Sequence, residues 1–190
     1  MRPLSVAAAL VLLEGAASAH DFPVRRTLLL EPGQTLDVLV HLAVPAKKRA
    51  VFLAFGDANR DGRIDEAESK ALRSLLLARA LTGLDLLVDG AKRPLDQPET
   101  KVHLDSTRVE LVVHGSLVLP RGEATVSIRT SSPGDPLELR IVGRSRKVAR
   151  EAVRRSNGSA VRARIRRGSL AVQLGAEDVV EVRIPALGSK

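Results

Sequence analysis

The chain has 190 residues, enough for one domain with a sizeable hydrophobic core or at most two small ones. It contains no cysteine, which excludes disulfides, thiolate metal sites and cysteine nucleophiles. The formal net charge is +8, but aromatic residues make up only 2% of the sequence. Because bases would find almost no aromatic side chains to stack on, we do not expect nucleic acid to be a partner.

The N-terminus has the three parts of a signal peptide. Arg2 gives a positive start, Leu4–Leu13 is an apolar run, and Ala17–Ala19 is a small-residue cleavage motif. We therefore expect a signal peptide over residues 1–19 and a mature chain that begins at His20, in the periplasm or secreted from a bacterium. No later segment has the ~18 uninterrupted apolar residues that a transmembrane helix needs, so none is expected in the mature chain.

Most of the mature chain alternates apolar and polar residues with the period of a β-strand. This alternation covers residues 35–44, 107–119, 123–130, 137–142, 161–165, 170–174 and 179–184. Turns rich in glycine, proline or polar residues separate these segments, at 31–34, 119–122, 131–136, 156–159 and 174–178. Many short strands between such turns predict a mainly β protein, an antiparallel β-sandwich of Ig-like type that forms a single domain over 20–190.

One insertion, at about residues 47–83, interrupts the strand pattern. From Glu66 to Leu81 there is no glycine or proline, and leucine and alanine recur at helical spacing. Gly83 is placed to end this helix. Asp89-Gly90 then predicts a tight turn between two strands.

The segment DANRDGRIDEAE, residues 57–68, spaces oxygen-bearing groups as a calcium loop does. Calcium prefers six to eight oxygen ligands, which such a 12-residue loop supplies from positions 1, 3, 5, 7, 9 and 12. Here those positions are Asp57, Asn59, Asp61, the main-chain carbonyl of Arg63, Asp65 and Glu68. Gly62 occupies position 6, where the backbone needs a positive φ. The pattern predicts a Ca²⁺ site; the alternative is an acidic turn that caps the following helix and binds nothing.

This loop and the helix after it resemble the EF-hand family. In that family an aromatic pair usually precedes the loop, and here Phe52 and Phe55 have the right mutual spacing, although Gly56 moves them one residue away. The segment before the loop is therefore open between a distorted helix and a strand. No second loop is present, so we expect Ile64, at position 8, to pack on the β domain or on another copy of the chain.

The cations Arg60 and Arg63 lie inside the loop and lower its negative charge. We therefore expect a weak site, with a Kd of about 10⁻⁴ to 10⁻³ M, as in extracellular modules. At roughly millimolar calcium, binding would stabilise the fold by about 0.4 to 1.4 kcal/mol. A contribution of that size predicts a structural ion rather than a sensor.

A second hypothesis concerns copper or nickel. A free amine and imidazole at His20 would chelate Cu²⁺, and His41, His103 and His114 could add nitrogen ligands. A weaker resemblance, carried by the start at His20, the acidic loop and residues 83–95, is to the exported N-terminal domain of nickel/cobalt-type and hydrogenase-accessory membrane proteins. It implies a periplasmic metal-handling accessory.

Catalytic motifs are absent from the sequence: no nucleophile elbow, metalloprotease helix or phosphate-binding glycine loop occurs. We therefore expect the protein not to be an enzyme; a hydrolase whose site the sequence hides is the third hypothesis. Residues 140–167 hold eleven arginines and lysines and a single acidic residue, Glu151. This basic segment is a solvated face or a docking surface for an envelope protein, and self-association is a further expectation.

Overall fold

The computed structural model describes residues 24–32, 35–131, 137–142, 153–155, 163–166, 169–175 and 178–184. The predicted signal peptide and His20 lie outside the described residues, and so does most of the basic segment.

The described residues form twelve strands and two α-helices. The strands are β1 (Arg25–Pro32), β2 (Leu36–Ala43), β3 (Leu84–Val88), β4 (Ala91–Lys92), β5 (Asp96–Leu104), β6 (Val109–Leu117), β7 (Ala124–Thr130), β8 (Leu137–Val142), β9 (Val153–Arg155), β10 (Ala163–Arg166), β11 (Ser169–Leu174) and β12 (Val179–Ile184). The helices α1 (Arg49–Gly56) and α2 (Glu66–Leu81) lie between β2 and β3, and a 3₁₀ turn at Ala46–Lys48 precedes α1. The predicted helix over 66–81 is confirmed.

The strands form two sheets. The larger has the order β10-β11-β8-β1-β2-β6-β5 and the smaller β4-β3-β7-β12-β9. All pairs are antiparallel except β1 with β8, which run parallel. A parallel pair needs a long crossover between its strands, and more than 100 residues separate these two. The chain is mainly β with two antiparallel-rich sheets, as a β-sandwich requires.

The core lies between the inner faces of the two sheets. In β2 the side chains of Leu36, Val38, Val40 and Leu42 are fully buried, while Asp37 on the opposite face is exposed. The same alternation holds in β6 and β7, as the sequence predicts. Burying one such aliphatic side chain contributes about 1.5–3 kcal/mol, so the alternation decides which face of each strand turns inward.

Both helices pack onto this core. Phe52 of α1 is 1% exposed, and Leu72 and Leu76 of α2 are also buried. The segment before the acidic loop is therefore a helix and not a strand. The two helices approach each other closely at Gly56, because a Cβ added there would lie 2.5 Å from Cδ1 of Leu72.

Strand β5 has no counterpart in the sequence prediction. Its first six residues are exposed, and Pro98 interrupts any apolar alternation. It lies at the edge of the larger sheet, where a strand needs neither a buried face nor a full set of N–H donors. A bulge lies between Asp96 and Glu99, and Gln97 within it has a φ of 45°.

One arginine also faces inward. Arg26 of β1 is only 3% exposed, and its guanidinium donates a 2.7 Å hydrogen bond to the carbonyl of Thr82. Thr82 is the C-cap of α2, where carbonyls lack helical partners and the helix dipole favours a cation. Arg26 thus joins the larger sheet to the end of α2.

Candidate metal centre

The first half of the acidic loop is shaped by hydrogen bonds from its own backbone to its side chains. The carboxylate of Asp57 accepts from the N–H of Asp61 at 3.1 Å and from that of Gly62 at 2.8 Å. Asn59 Oδ1 accepts from the same Asp61 N–H at 2.8 Å, and Asp61 Oδ1 accepts from Arg63 N–H at 2.8 Å. The first three predicted ligands are thereby oriented by one turn of backbone.

Two residues of this turn have positive φ. Gly62 adopts a φ of 81°, as position 6 of the predicted loop requires, and a Cβ there would meet no atom within 4 Å. The need for glycine is therefore conformational and not steric. Arg60 has a φ of 61°, which is unusual for a residue with a long side chain.

Glu68 closes the loop onto the helix. Its Oε1 accepts from the N–H groups of Ala58, at 2.8 Å, and Asn59, at 3.1 Å. Its Oε2 accepts from Asp65 N–H at 3.0 Å, while Asp65 Oδ1 accepts from Glu68 N–H at 2.8 Å. The last pair is a capping box that starts α2. Glu68 is only 8% exposed and so links the beginning of the loop to the helix.

The predicted ligands thus fall into two groups. In the first turn Asp57 and Asn59 share the N–H of Asp61, and Asp61 accepts from Arg63 N–H. At the helix start Asp65 and Glu68 form the capping box, and Glu68 also accepts from N–H groups at the beginning of the loop. Within the part of the chain that the structure describes, no three His, Asp or Glu side chains converge as a metal site would bring them together.

The surroundings of the loop match two expectations. Ile64 is half-buried and packs against the hydrophobic core of the same chain. Arg60 and Arg63 are exposed, and neither forms an ion pair with a described residue. The two cations lower the net charge of the loop without pairing directly with its carboxylates.

The histidines considered for copper lie on the outer face of the larger sheet. His41 Nε2 is 3.2 Å from a Glu110 oxygen, and Arg108 contacts both the other Glu110 oxygen and His103 Nδ1 at 3.2 Å. His114 is exposed on the same face. These side chains do not converge on a common point among the described residues. The copper or nickel hypothesis, which depends on His20, stays a prediction.

Little of the basic segment is described. Arg140 pairs with Glu138 at 2.9 Å, and Arg155 lies 3.6 Å from Asp178. The prediction that the basic segment docks onto an envelope protein is still based on the sequence alone. If the segment is a docking surface, neutralising Arg162, Arg164 and Arg166 would abolish association with the envelope.

Fold and site together define a two-sheet β protein that carries an acidic helix–loop–helix. No protein-family model matches the chain. No curated protein and no solved structure matches it either. Of the helices in the described residues, none is long and apolar enough to cross a membrane.

Proposed function

We propose that this protein binds one calcium ion in the loop 57–68, as an EF-hand does. The ligands are Asp57, Asn59, Asp61, the carbonyl of Arg63, Asp65 and Glu68. The observation that carries the proposal is the supply of oxygens within the loop. Four of the predicted ligands are carboxylates and one is an amide, and Asp61 and Asp65 each keep an oxygen that accepts no hydrogen bond from a described residue. We further propose that this occurs in the periplasm or outside the cell, after cleavage near Ala19.

The donor set suits a hard cation because every ligand atom is an oxygen. The second carboxylate oxygens of Asp61 and Asp65 accept no hydrogen bond from a described residue. Oε2 of Glu68 accepts one hydrogen bond and keeps a further lone pair, whereas Oε1 already accepts two. An ion bound by Oε2 of Glu68 and by the free oxygens of Asp61 and Asp65 would leave the hydrogen bonds that shape the loop in place. Ligation by Oε1 of Glu68 would compete with the N–H donors of Ala58 and Asn59.

The role we propose is structural. An ion held by Asp57 and Glu68 would join the end of α1 to the start of α2, and both helices are anchored to the core by buried side chains. The cations at Arg60 and Arg63 favour a Kd of about 10⁻⁴ to 10⁻³ M, which suits calcium levels outside the cell. Because Ile64 packs on its own core, pairing with a second such loop is not needed to bury it.

The finer description of the fold belongs to the same proposal. We propose that the sandwich is of Ig-like type. The support is the division of the strands into sheets of seven and five, with sequence-neighbouring strands β4–β5 and β6–β7 in opposite sheets.

The test is calorimetric titration of Ca²⁺ into chelator-stripped protein, with Mg²⁺ as a second titrant. We expect one-to-one calcium binding and a higher melting temperature on saturation. Glu68→Gln retains one side-chain oxygen and the capping box but loses the charge and bidentate ligation, so the affinity should fall more than tenfold.

Glu99→Gln is the matched control, because Glu99 is exposed on edge strand β5. This variant should bind calcium as the parent does. Absence of both heat and thermal shift up to millimolar calcium would reduce the loop to a helix-capping turn.

A further inference from the structure

A small cavity opens where the chain crosses between the two sheets. Residues 93–95 lead from β4 in the smaller sheet to β5 in the larger, and residues 118–123 lead from β6 back to β7. Between these two connections lies a cavity of about 230 Å³. Its lining consists of Arg93, Pro94, Asp96, Val118, Leu119 and Pro120.

The lining is apolar apart from its two charged residues. Pro94 and Pro120 have no N–H to solvate and a fixed φ. Leu119 packs against the core, whereas Val118 is 68% exposed. Among the large apolar side chains of the described residues, Val118 is the most exposed. Val118 thus places an exposed apolar side chain beside the cavity.

The wall that carries Asp96 is held in place by close packing and a strained backbone. A Cβ on Gly115 would lie 3.0 Å from Leu95 Cβ and 3.2 Å from the Asp96 carbonyl, so the connection presses directly on β6. The next residue, Gln97, has a φ of 45°. Strained backbone of this kind persists where the surroundings hold it, and it clusters at binding sites.

The two charged side chains that line the cavity have no ion-pair partner among the described residues. Arg93 and Asp96 are exposed, and neither side chain forms a hydrogen bond or ion pair with a described residue. The neighbouring cation Lys92, by contrast, is paired with Asp85. One free cation and one free anion on an apolar cavity are complementary to a ligand with both charges and an apolar body.

We propose that this cavity binds a free α-amino acid with an aliphatic side chain. The ligand carboxylate meets the Arg93 guanidinium, the ammonium group meets Asp96, and the side chain lies over the prolines, Val118 and Leu119. The volume supports a ligand of this size, because pockets for drug-sized molecules usually measure about 300–1,000 Å³.

The first experiment is a titration of the ¹⁵N-labelled protein with L-leucine, followed by amide NMR in the presence of a calcium chelator. We expect saturating shift changes at Val118, Leu119 and Asp96. The comparison ligand is N-acetyl-leucine amide, which keeps the side chain but has neither charge, and it should bind at least about fivefold more weakly.

Paired variants test the two charges separately. Arg93→Gln and Asp96→Asn should each weaken leucine binding at least about fivefold. Arg121→Gln and Glu99→Gln change exposed charges of the same connection and the same strand outside the cavity lining, and they should leave binding unchanged.

Equal binding of the neutral ligand, equal effects of the control variants, or no saturation by leucine would each overturn the proposal. Because the chelator removes calcium from the assay, these results are independent of whether the loop 57–68 binds the ion.

Discussion

Two acidic turns of this molecule use the same kind of hydrogen bond for different ends. In the β5–β6 hairpin, Asp105 Oδ1 accepts from Thr107 N–H and Arg108 N–H, both at 2.8 Å, and from the Thr107 hydroxyl. In the loop 57–68, Asp57 and Asp61 likewise accept from N–H groups a few residues ahead. The local hydrogen bonding by itself therefore does not mark a metal site.

The difference lies in the supply of oxygens. The hairpin turn has a single carboxylate, and the three hydrogen bonds that this side chain accepts all go to Asp105 Oδ1. The predicted ligands of the loop include four carboxylates and an amide oxygen, with second oxygens at Asp61 and Asp65 that accept no hydrogen bond from a described residue. Calcium binding depends on this surplus, so the hairpin turn is the internal reference against which the loop can be tested.

The largest effect should come from pushing the two helices apart. In Gly56→Ala the new methyl group would overlap Leu72, and we expect a loss of about 2 kcal/mol in the free energy of unfolding, measured by urea denaturation. Amide shifts should change across residues 57–68 and stay constant across 105–108. Leu72→Ala should lower the free energy of unfolding less in the Gly56→Ala variant than in the parent protein, because it removes the side chain that the new methyl group overlaps. Additive losses would contradict the proposed contact.

A smaller effect is expected from Gly62→Ala. The φ of 81° is unfavourable for alanine, although no atom lies within 4 Å of the new methyl group, so the strain should cost about 1 kcal/mol. Calcium affinity should fall severalfold with it, measured by calorimetry. Gly122→Ala is the matched control, with a φ of 110° and equally open surroundings. If Gly122→Ala weakens calcium binding as much as Gly62→Ala does, the loss of affinity does not come from strain within the loop.

Removing the cations Arg60 and Arg63 should raise the calcium affinity of the loop, a quantity that the hairpin turn does not have. Arg60→Asn introduces a residue that tolerates the φ of 61° at this position and removes a positive charge close to the ion. The calcium affinity should therefore rise about two- to threefold. Arg63→Ser should act similarly. The gain should shrink at high salt, because exposed charges are screened. Arg121→Asn, far along the chain and equally exposed, should show no gain; a gain there would mean that net charge alone matters.

The smallest effect concerns the hairpin turn. The hydrogen bond from the Thr107 side chain, followed by that from the Arg108 backbone, lowers the pKa of Asp105 below its ordinary value. Because the pKa is lower in the folded state, the stabilisation is present above the unfolded pKa and is lost as the pH falls through the folded one. Thr107→Val should raise the pKa of Asp105, measured by carboxyl NMR. An unchanged pKa would show that the backbone donors suffice.

The sequence predicted the local features that depend on short-range pattern. The alternation of Leu36, Val38, Val40 and Leu42 identified the buried face of β2, because a strand turns every second residue inward. The glycine-free stretch ending before Gly83 identified α2 with its bounds, and Asp65 of the acidic loop is its N-cap in the structure. The turn at Asp89-Gly90 also lies between two strands as predicted.

Other features escaped prediction because they depend on partners distant in sequence. Strand β5 is formed by pairing with β6 and has almost no buried face of its own. The inward-facing Arg26 hydrogen-bonds the carbonyl of Thr82, a partner 56 residues away in the sequence. The contact of Gly56 with Leu72 could not be seen while the segment before the loop was open between helix and strand.

What the sequence alone determined about this protein is therefore its β-rich pattern, the helix over 66–81 and the order of oxygen-bearing residues in the loop. The tertiary structure decided which strands are neighbours, including the parallel β1–β8 pair, and how α1 and α2 enclose the loop. The physical reason is the distance along the sequence over which each interaction acts. Periodicity and capping act within a few residues, whereas sheet order and helix packing are selected by burial among segments that meet only in the folded chain.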